Sequence, residues 1–175
     1  LKDVAEEISK TFIEVLIAPD YDSEALEILS KKQNLRVLKS PEIIKPAESS
    51  KDIKKVVGGV LYQDSDNTSD EDFEDYKVAT KKQPSSEEIE TLKLAWKICK
   101  NVKSNAIVFA KDNKTVGIGA GQMNRVNSVQ LATIKASEHY GTTGSVLASD
   151  AFFPFRDGID EAAKAGVKAL SLIHI

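Results

Sequence analysis

The stretch NAIVFAKDNKTVGIGAG, residues 105–121, decides how this chain is expected to fold. Two apolar runs rich in Val, Ile and Phe flank Asp112 and Asn113, and these two residue types favour tight turns. The pattern therefore predicts two strands joined by a turn at Asp112–Asn113.

A long helix is predicted immediately before this pair of strands, in PSSEEIETLKLAWKICKNV, residues 84–102. Its apolar residues recur at helical spacing, and Ser85 followed by Glu88 fits a capping box. Trp96 and Cys99 lie on the apolar stripe, so we interpret them as core residues. A reactive thiol at Cys99 is the alternative.

The sequence after the two strands predicts two further helix–strand pairs. Residues 127–140 read as a helix capped by Asn127 or Ser128, followed by the strand GSVLAS. Residues 156–166 read as a short helix with acids in its first turn, followed by a last apolar strand. The order β-β-α-β-α-β is typical of a layered α/β domain, and α/β is the fold class we predict.

The first half of the chain shows a related but shorter pattern. Residues 12–38 read as strand, turn, helix and strand, with Ser23 as the helix cap, which favours parallel strands. Gly58 and Gly59 interrupt the next strand-like run, as at a bulge or a close backbone approach. Residues 64–76 are crowded with acids but lack the Gly and Glu of a calcium-binding EF-hand loop, so a solvated loop is predicted.

Composition excludes several classes of function. The chain has 175 residues and a net charge of −3, which argues against a general surface for nucleic acid or anionic membranes. A single cysteine allows neither an internal disulfide nor a cysteine-based metal cage. We find no run that could span a bilayer and no signal peptide, and the missing initial Met suggests a fragment or a processed chain.

The sequence does not support two functional interpretations, a dinucleotide-binding loop and a zinc deaminase site. GIGAGQ, residues 117–122, lacks the G-x-G-x-x-G spacing of a dinucleotide-binding loop, and its glycines end a strand rather than open a helix. These glycines still allow a ligand or another chain to approach the backbone closely. Zinc deaminases need H-x-E and P-C-x-x-C motifs, and neither is present.

Polar residues gather where predicted strands and helices meet, which suggests a binding site. They fall into three groups: residues 103–105 before one strand, Gln122, Asn124 and Arg125 before a helix, and Asp150 after a strand. Three converging junctions would form a polar pocket, with the Phe and Pro residues of 152–155 as its aromatic wall. Ordinary capping at each junction is the alternative.

Several long motifs resemble the AICAR transformylase part of the bifunctional purine biosynthesis proteins. They include LAWKICKNVKSNAIVFAKDNKTVGIGAGQMNRVNS and ASDAFFPFRDGIDEAAKAGV, preceded in the same order by matches in residues 12–38, GGVLYQDSD and KVAT. This resemblance implies formyl transfer from 10-formyltetrahydrofolate to AICAR, giving FAICAR. It also implies a cytoplasmic homodimer with active sites at the subunit interface, and cytidine-deaminase-like subdomains without zinc. Residues 1–84 would then complete a first subdomain with its connecting segment, and residues 85–175 would form a second.

The resemblance also assigns site residues. Residues matching those that bind substrate or folate are Asn105, Arg125, Val126, Phe152, Pro154 and Phe155. Asp150 matches an acid near a potassium-type cation site. A guanidinium suits the phosphate and carboxylates of the ligands, and aromatic faces suit their planar rings.

The chain departs from the family pattern in one respect that bears on activity. The K-H-x-N-P-C-G motif with the family's catalytic Lys-His pair is absent from the sequence, and we expect it upstream of Leu1, with the cyclohydrolase domain further upstream. The final residues LSLIHI also differ from the family pattern. This chain alone is therefore expected to be inactive. The alternatives are a non-catalytic binding or dimerisation module of the same fold, and a relative of the zinc deaminases.

Overall fold

The computed structural model describes residues 1–41, 51–66, 73 and 76–172. Within them the chain is a mixed α/β protein. The helices described are α1 Lys2–Ser9, α2 Ser23–Leu29, α3 Ser86–Cys99, α4 Arg125–Ser137 and α5 Asp157–Lys164. The strands described are β1 Val15–Ala18, β2 Arg36–Lys39, β3 Lys51–Val56, β4 Gly59–Asp64, β5 Ile107–Lys111, β6 Lys114–Gly119, β7 Val146–Ser149 and β8 Ala169–Leu172.

The chain divides into two compact units, Leu1–Asn67 and Thr68–Ile175. None of the helices in the described residues is long and apolar enough to cross a bilayer. Most of the acidic stretch 64–76 lies outside the described residues, as do residues 42–50 and 173–175.

In the first unit, β1 and β2 pair in parallel around α2, which confirms the strand–helix–strand prediction. A small core of Ala5, Ala25 and Leu29 joins α1 to α2. The cap of α2 is Asp22, whose Oδ1 accepts a hydrogen bond from the Ala25 N–H at 2.7 Å. The prediction of Ser23 as the cap was wrong, because Asp22 holds the side-chain acceptor one position earlier and Ser23 is already helical.

Strands β3 and β4 form an antiparallel hairpin with Val56 opposite Gly59. Gly58 has φ +83°, a left-handed conformation that favours glycine, and lies in the tight turn between the strands. A Cβ added at Gly58 or Gly59 would meet no atom of the described residues within 4 Å. The interpretation of this pair as a bulge or a close approach was therefore wrong, since Gly58 lies in the hairpin turn and Gly59 is the first residue of β4.

In the second unit, four strands form one sheet in the order β6-β5-β7-β8. Strand β5 is antiparallel to both β6 and β7, whereas β7 and β8 are parallel. Asp112 and Asn113 have φ of 50° and 56° and make the turn between β5 and β6, as predicted. The order β-β-α-β-α-β is confirmed.

Helices cover both faces of this sheet. On one face, Trp96 and Cys99 of α3 pack in a core with Val108 and Ala148. On the other face, residues of α4 and α5 pack against Phe109 and Leu147, which point the opposite way because side chains alternate along a strand. The core assignments of Trp96 and Cys99 are confirmed, as is the capping box of Ser85 and Glu88.

Glycines let α4 lie directly against β6. A Cβ added at Gly117 would be 2.2 Å from the Ala132 carbonyl oxygen, and one added at Gly119 would be 1.9 Å from that of Ser128. The close approach expected at these glycines is therefore made by a helix of the same chain. This contact holds the first turn of α4 beside the strand.

The cap of α4 lies three or four residues earlier than predicted. Asn124 is the cap, and its Oδ1 accepts from the Asn127 N–H at 2.9 Å. The prediction of Asn127 or Ser128 was wrong because the N–H of Asn127 is the donor in the capping bond. Arg125 is consequently the first residue of the helix.

Candidate ligand-binding cleft

The three polar junctions predicted from the sequence meet at one end of the sheet in the second unit. Since β5 and β7 are antiparallel neighbours, with Ile107 opposite Ser149, the residue before β5 lies beside the residue after β7. The Ala106 N–H donates to Asp150 Oδ1 at 3.1 Å. The Asn105 side-chain amide donates to the Gln122 carbonyl at 2.8 Å, which ties the start of β5 to the loop before α4.

Arg125 is the residue that joins these junctions. Its side chain is buried, and its Nε donates to the Phe152 carbonyl at 3.1 Å. One terminal nitrogen, Nη1, donates to Ser149 Oγ at 3.0 Å and also to Asp150 Oδ1. The guanidinium carbon lies 5.9 Å from the ring centre of Phe153, in the range of a cation–π contact. The start of α4 is thereby linked to the segment that follows β7.

The Asp150 carboxylate is held in its charged form by its neighbours. Partial burial acts to raise its pKa, but hydrogen bonds from Ser104, Arg125 and the Ala106 N–H outweigh that effect, so the pKa of Asp150 is lowered. Asp150 therefore compensates the positive charge of Arg125 within the protein.

A cleft of about 270 Å³ opens beside this ion pair. Its lining residues are Asn105, Met123, Asn124, Arg125, Val126, Ala151, Phe152, Phe153, Pro154, Phe155 and Asp157. Phe152 and Phe155 are 62% and 73% exposed, whereas Phe153 is partly buried against the core. Two of the three neighbouring phenylalanines therefore present their rings to solvent at the cleft.

The structure thus brings the predicted binding residues together, because Asn105, Arg125, Val126, Phe152, Pro154 and Phe155 all line the cleft. Asp150 does not line it and lies behind Arg125, bonded to the guanidinium. The structure fixes their positions, and their binding roles stay predictions.

Sequence reasoning missed two buried serines that support the lining residues. Ser128 Oγ donates to the Asn105 carbonyl at 2.7 Å, and Ser149 Oγ contacts the Arg125 guanidinium. Both serines are fully buried. The available signal was a small polar residue within an apolar segment next to a junction, as in GSVLAS.

The other candidate groups considered from the sequence are a metal site and the Cys99 thiol. No cluster there of three or more His, Cys, Asp or Glu side chains could hold a metal ion. Burial, together with the negative charge of Asp150, raises the pKa of Cys99 to about 12. This buried thiol is therefore protonated at neutral pH, which disfavours the reactive-thiol alternative.

Comparison with known proteins places the chain in a family. The sequence profile of the family described as the AICARFT/IMPCHase bienzyme matches residues 2–135. The chain belongs to the AICARFT/IMPCHase bienzyme family. The Bifunctional purine biosynthesis protein PurH of Magnetococcus marinus is 49% identical over 176 residues, covering 95% of this chain and 33% of that protein. The protein of the same name from Bacillus mycoides is 51% identical over 170 residues, covering 97% of this chain and 32% of that protein.

The chain spans about a third of the length of these bienzyme relatives. Because nearly all of the chain is covered in both comparisons, the residues that line the cleft fall inside the matched region. The cleft therefore lies in a segment that these bienzymes share.

Proposed function

We propose that this chain provides part of the ligand-binding surface for folate-dependent formyl transfer in purine biosynthesis. The transfer moves the formyl group of 10-formyltetrahydrofolate to the 5-amino group of AICAR, giving FAICAR. The observation that carries the proposal is the convergence of Asn105, Arg125 and the exposed aromatic residues on one cleft, in a chain of the AICARFT/IMPCHase bienzyme family.

The cleft offers the contacts that planar, polar ligands need. Phe152 and Phe155 present exposed rings on which a heterocycle can stack. The side-chain oxygen of Asn105 accepts no hydrogen bond within the described residues, so it is available to an amino or amide N–H of a ligand. Arg125 supplies N–H groups for a ligand oxygen. These contacts bind and orient ligands, and none of them is a strong acid or base.

The reaction itself requires a proton transfer that these residues do not supply. The amine nitrogen of AICAR attacks the formyl carbon, a new C–N bond forms, and the bond between that carbon and N10 of the folate breaks. The amine loses one proton, and N10 gains one as tetrahydrofolate leaves. A positioned acid–base group contributes about 10²–10⁴-fold to such a step. In the family resemblance that role falls to a Lys-His pair, and this sequence contains no Lys-His dipeptide.

A potassium ion at Asp150 fits the observed contacts poorly. Monovalent cations prefer several oxygen ligands, whereas Asp150 Oδ1 already accepts hydrogen bonds from the Ala106 N–H and Arg125. We therefore derive no step through potassium, and the cation role of Asp150 stays a prediction.

The proposal includes a cytoplasmic homodimer in which a second subunit completes the site. The exposure of Phe155, and of Met123 at 96%, leaves apolar surface at the cleft for another chain or a ligand to cover. Sedimentation equilibrium of the full-length bienzyme tests this part of the proposal, and a monomeric protein would contradict it.

The proposed function is tested by Arg125→Ala in the full-length bienzyme that carries this segment. Loss of hydrogen bonds from a charged group should raise the Kd for AICAR or for a folate analogue about tenfold to a hundredfold, measured by calorimetry. Arg156→Ala is the matched control, because Arg156 is 87% exposed, pairs with Asp160 and does not line the cleft. Equal affinities in wild type and Arg125→Ala would contradict the proposal.

The 175-residue chain by itself should show no formyl transfer when the formation of FAICAR is measured. Turnover near that of a full-length relative would contradict the assignment of this chain to binding alone. Ligand binding without turnover is the expected result. A different outcome concerns the full-length protein. If it neither binds AICAR or folate nor transfers the formyl group, a scaffold role for this segment is favoured.

A further inference from the structure

We propose that Ser149 is a positioning residue, whose hydroxyl orients the Arg125 guanidinium for the ligand bound in the cleft. This inference rests on the proposed function, since it requires that Arg125 contact a ligand. Ser149 is the last residue of β7, is fully buried and does not line the cleft. Any effect on binding therefore passes through another residue.

The hydroxyl of Ser149 makes two hydrogen bonds of fixed direction. It donates its single proton to the Ala151 carbonyl at 2.8 Å. The oxygen is then left to accept, and the Arg125 Nη1–H group donates to it at 3.0 Å. One hydroxyl thus links the first residue of α4 to the turn that carries Phe152.

The hydrogen bonds of the Arg125 guanidinium show how the Ser149 contact affects its orientation. A guanidinium has five N–H groups in one plane. Three of those in Arg125 are taken by the protein, by the Phe152 carbonyl, Ser149 and Asp150. The second terminal nitrogen, Nη2, has no hydrogen-bond partner within the described part of the chain. The three bonds fix the guanidinium plane and leave the two N–H groups of Nη2 for a ligand oxygen.

The same contacts separate the role of Ser149 from that of Asp150. Asp150 compensates the charge of Arg125, but without Ser149 the guanidinium is held only at Asp150 and at the Phe152 carbonyl and can rotate about the line through those two oxygens. Ser149 adds a neutral acceptor at Nη1, which is the third contact that fixes the plane. Loss of the hydroxyl should weaken ligand binding while the ion pair persists.

The strand itself provides a matched control. Ser145, which precedes β7, is also fully buried, but its hydroxyl has no hydrogen-bond partner among the residues that the structure describes. Ser145→Ala and Ser149→Ala remove the same atom from opposite ends of one buried strand. An effect that comes only from changing a buried serine should appear in both variants.

The experiment is a double-mutant cycle in the full-length bienzyme, with AICAR as the probe and calorimetry as the measurement. Ser149→Ala should raise the Kd about fivefold to tenfold, Ser145→Ala should leave it unchanged, and Ser149→Ala should add nothing in an Arg125→Ala background. Thermal unfolding of each variant reports stability separately. If Ser149→Ala does not fold, Ser149→Cys, whose thiol is a weak acceptor, should raise the Kd in the same direction.

The outcomes distinguish failure of this inference from failure of the proposed function. An Arg125→Ala protein with unchanged affinity overturns the proposed function. A weakened Arg125→Ala protein beside an unchanged Ser149→Ala protein overturns only the positioning role. Additive losses in the double variant, or equal losses in Ser145→Ala, also overturn it, because they indicate a general effect on stability.

Discussion

Every residue of β7 in the second unit is buried, whereas every residue of β4 in the first unit is exposed. Both strands carry adjacent Val and Leu residues, so local composition does not explain the contrast. The sheet that contains β7 has helices on both faces, and the two-stranded sheet that contains β4 has no buried residue. The number of covering layers, rather than strand propensity, decides burial here.

The burial of the parallel pair β1 and β2 is intermediate between that of β7 and that of β4. Leu16 and Val37 pack toward the small core of α1 and α2. Val15 and Ile17 remain exposed on the strand, although parallel sheets are usually covered on both faces. The cleft, in contrast, is built where the two-sided core of the second unit holds the ends of its strands in place.

The largest effect that would test this contrast is a core truncation. Phe109→Ala removes a fully buried ring from the second unit and should lower the free energy of unfolding by about 3–5 kcal/mol. Val57→Ala, at a fully exposed position in the β3–β4 turn, should change it by less than about 0.5 kcal/mol. Urea denaturation followed by far-ultraviolet circular dichroism, to which the helices and strands of both units contribute, measures both. Similar losses of unfolding free energy in the two variants would contradict the difference in burial between the two units.

A smaller effect is expected from a single methyl group. Gly119→Ala places a Cβ against the Ser128 carbonyl, so α4 must shift, at a cost of about 1–3 kcal/mol. Gly59→Ala is the control in the first unit, because its Cβ would meet no atom within 4 Å in the described part of the chain and its φ is not positive. Thermal unfolding should separate the two variants, and a Gly119→Ala protein as stable as wild type would show that α4 does not depend on this contact.

The smallest effect expected near neutral pH is the loss of stability that Cys99 of the second unit contributes as the pH becomes alkaline. Burial raises the pKa of Cys99 to about 12, against about 8.5 in an unfolded chain. The resulting stability is fully present below about pH 8.5 and is lost as the pH rises toward 12, at up to about 1.4 kcal/mol per pH unit. Cys99→Ala should show a flatter pH dependence of urea denaturation, and parallel curves for the two proteins would contradict the assignment.

The spacing of apolar residues predicted the helices and strands of the second unit. Its sheet is covered on both faces, so the apolar patterns are long. Caps were less predictable, since several neighbouring residues carry suitable acceptors. Asp22 precedes Ser23, and Asn124 precedes Asn127, and only the backbone geometry selects one of each pair. The Gly58 turn was misread because a strand-like run with an internal glycine suits a bulge and a hairpin equally well.

The positions of the candidate site residues were predictable from the sequence, but their hydrogen-bond partners were not. Polar residues at the ends of strands indicated that Asn105, Arg125 and Asp150 would converge, and they do. Their partners could not be read from the sequence, because a guanidinium can bond to any nearby oxygen. The choice of Ser149 and the Phe152 carbonyl depends on where α4 lies against the sheet and on the antiparallel register of β5 and β7, neither of which the sequence states.

The burial of the single cysteine has a practical consequence for spectroscopy. Cys99 is protonated and enclosed, with its sulfur near the carbonyls of Ala106 and Ala148, so maleimide dyes should not label the folded chain. A cysteine placed at Met123, on the rim of the cleft, would then be the only reactive thiol within the chain. A fluorophore there would report ligand occupancy without prior removal of the native cysteine.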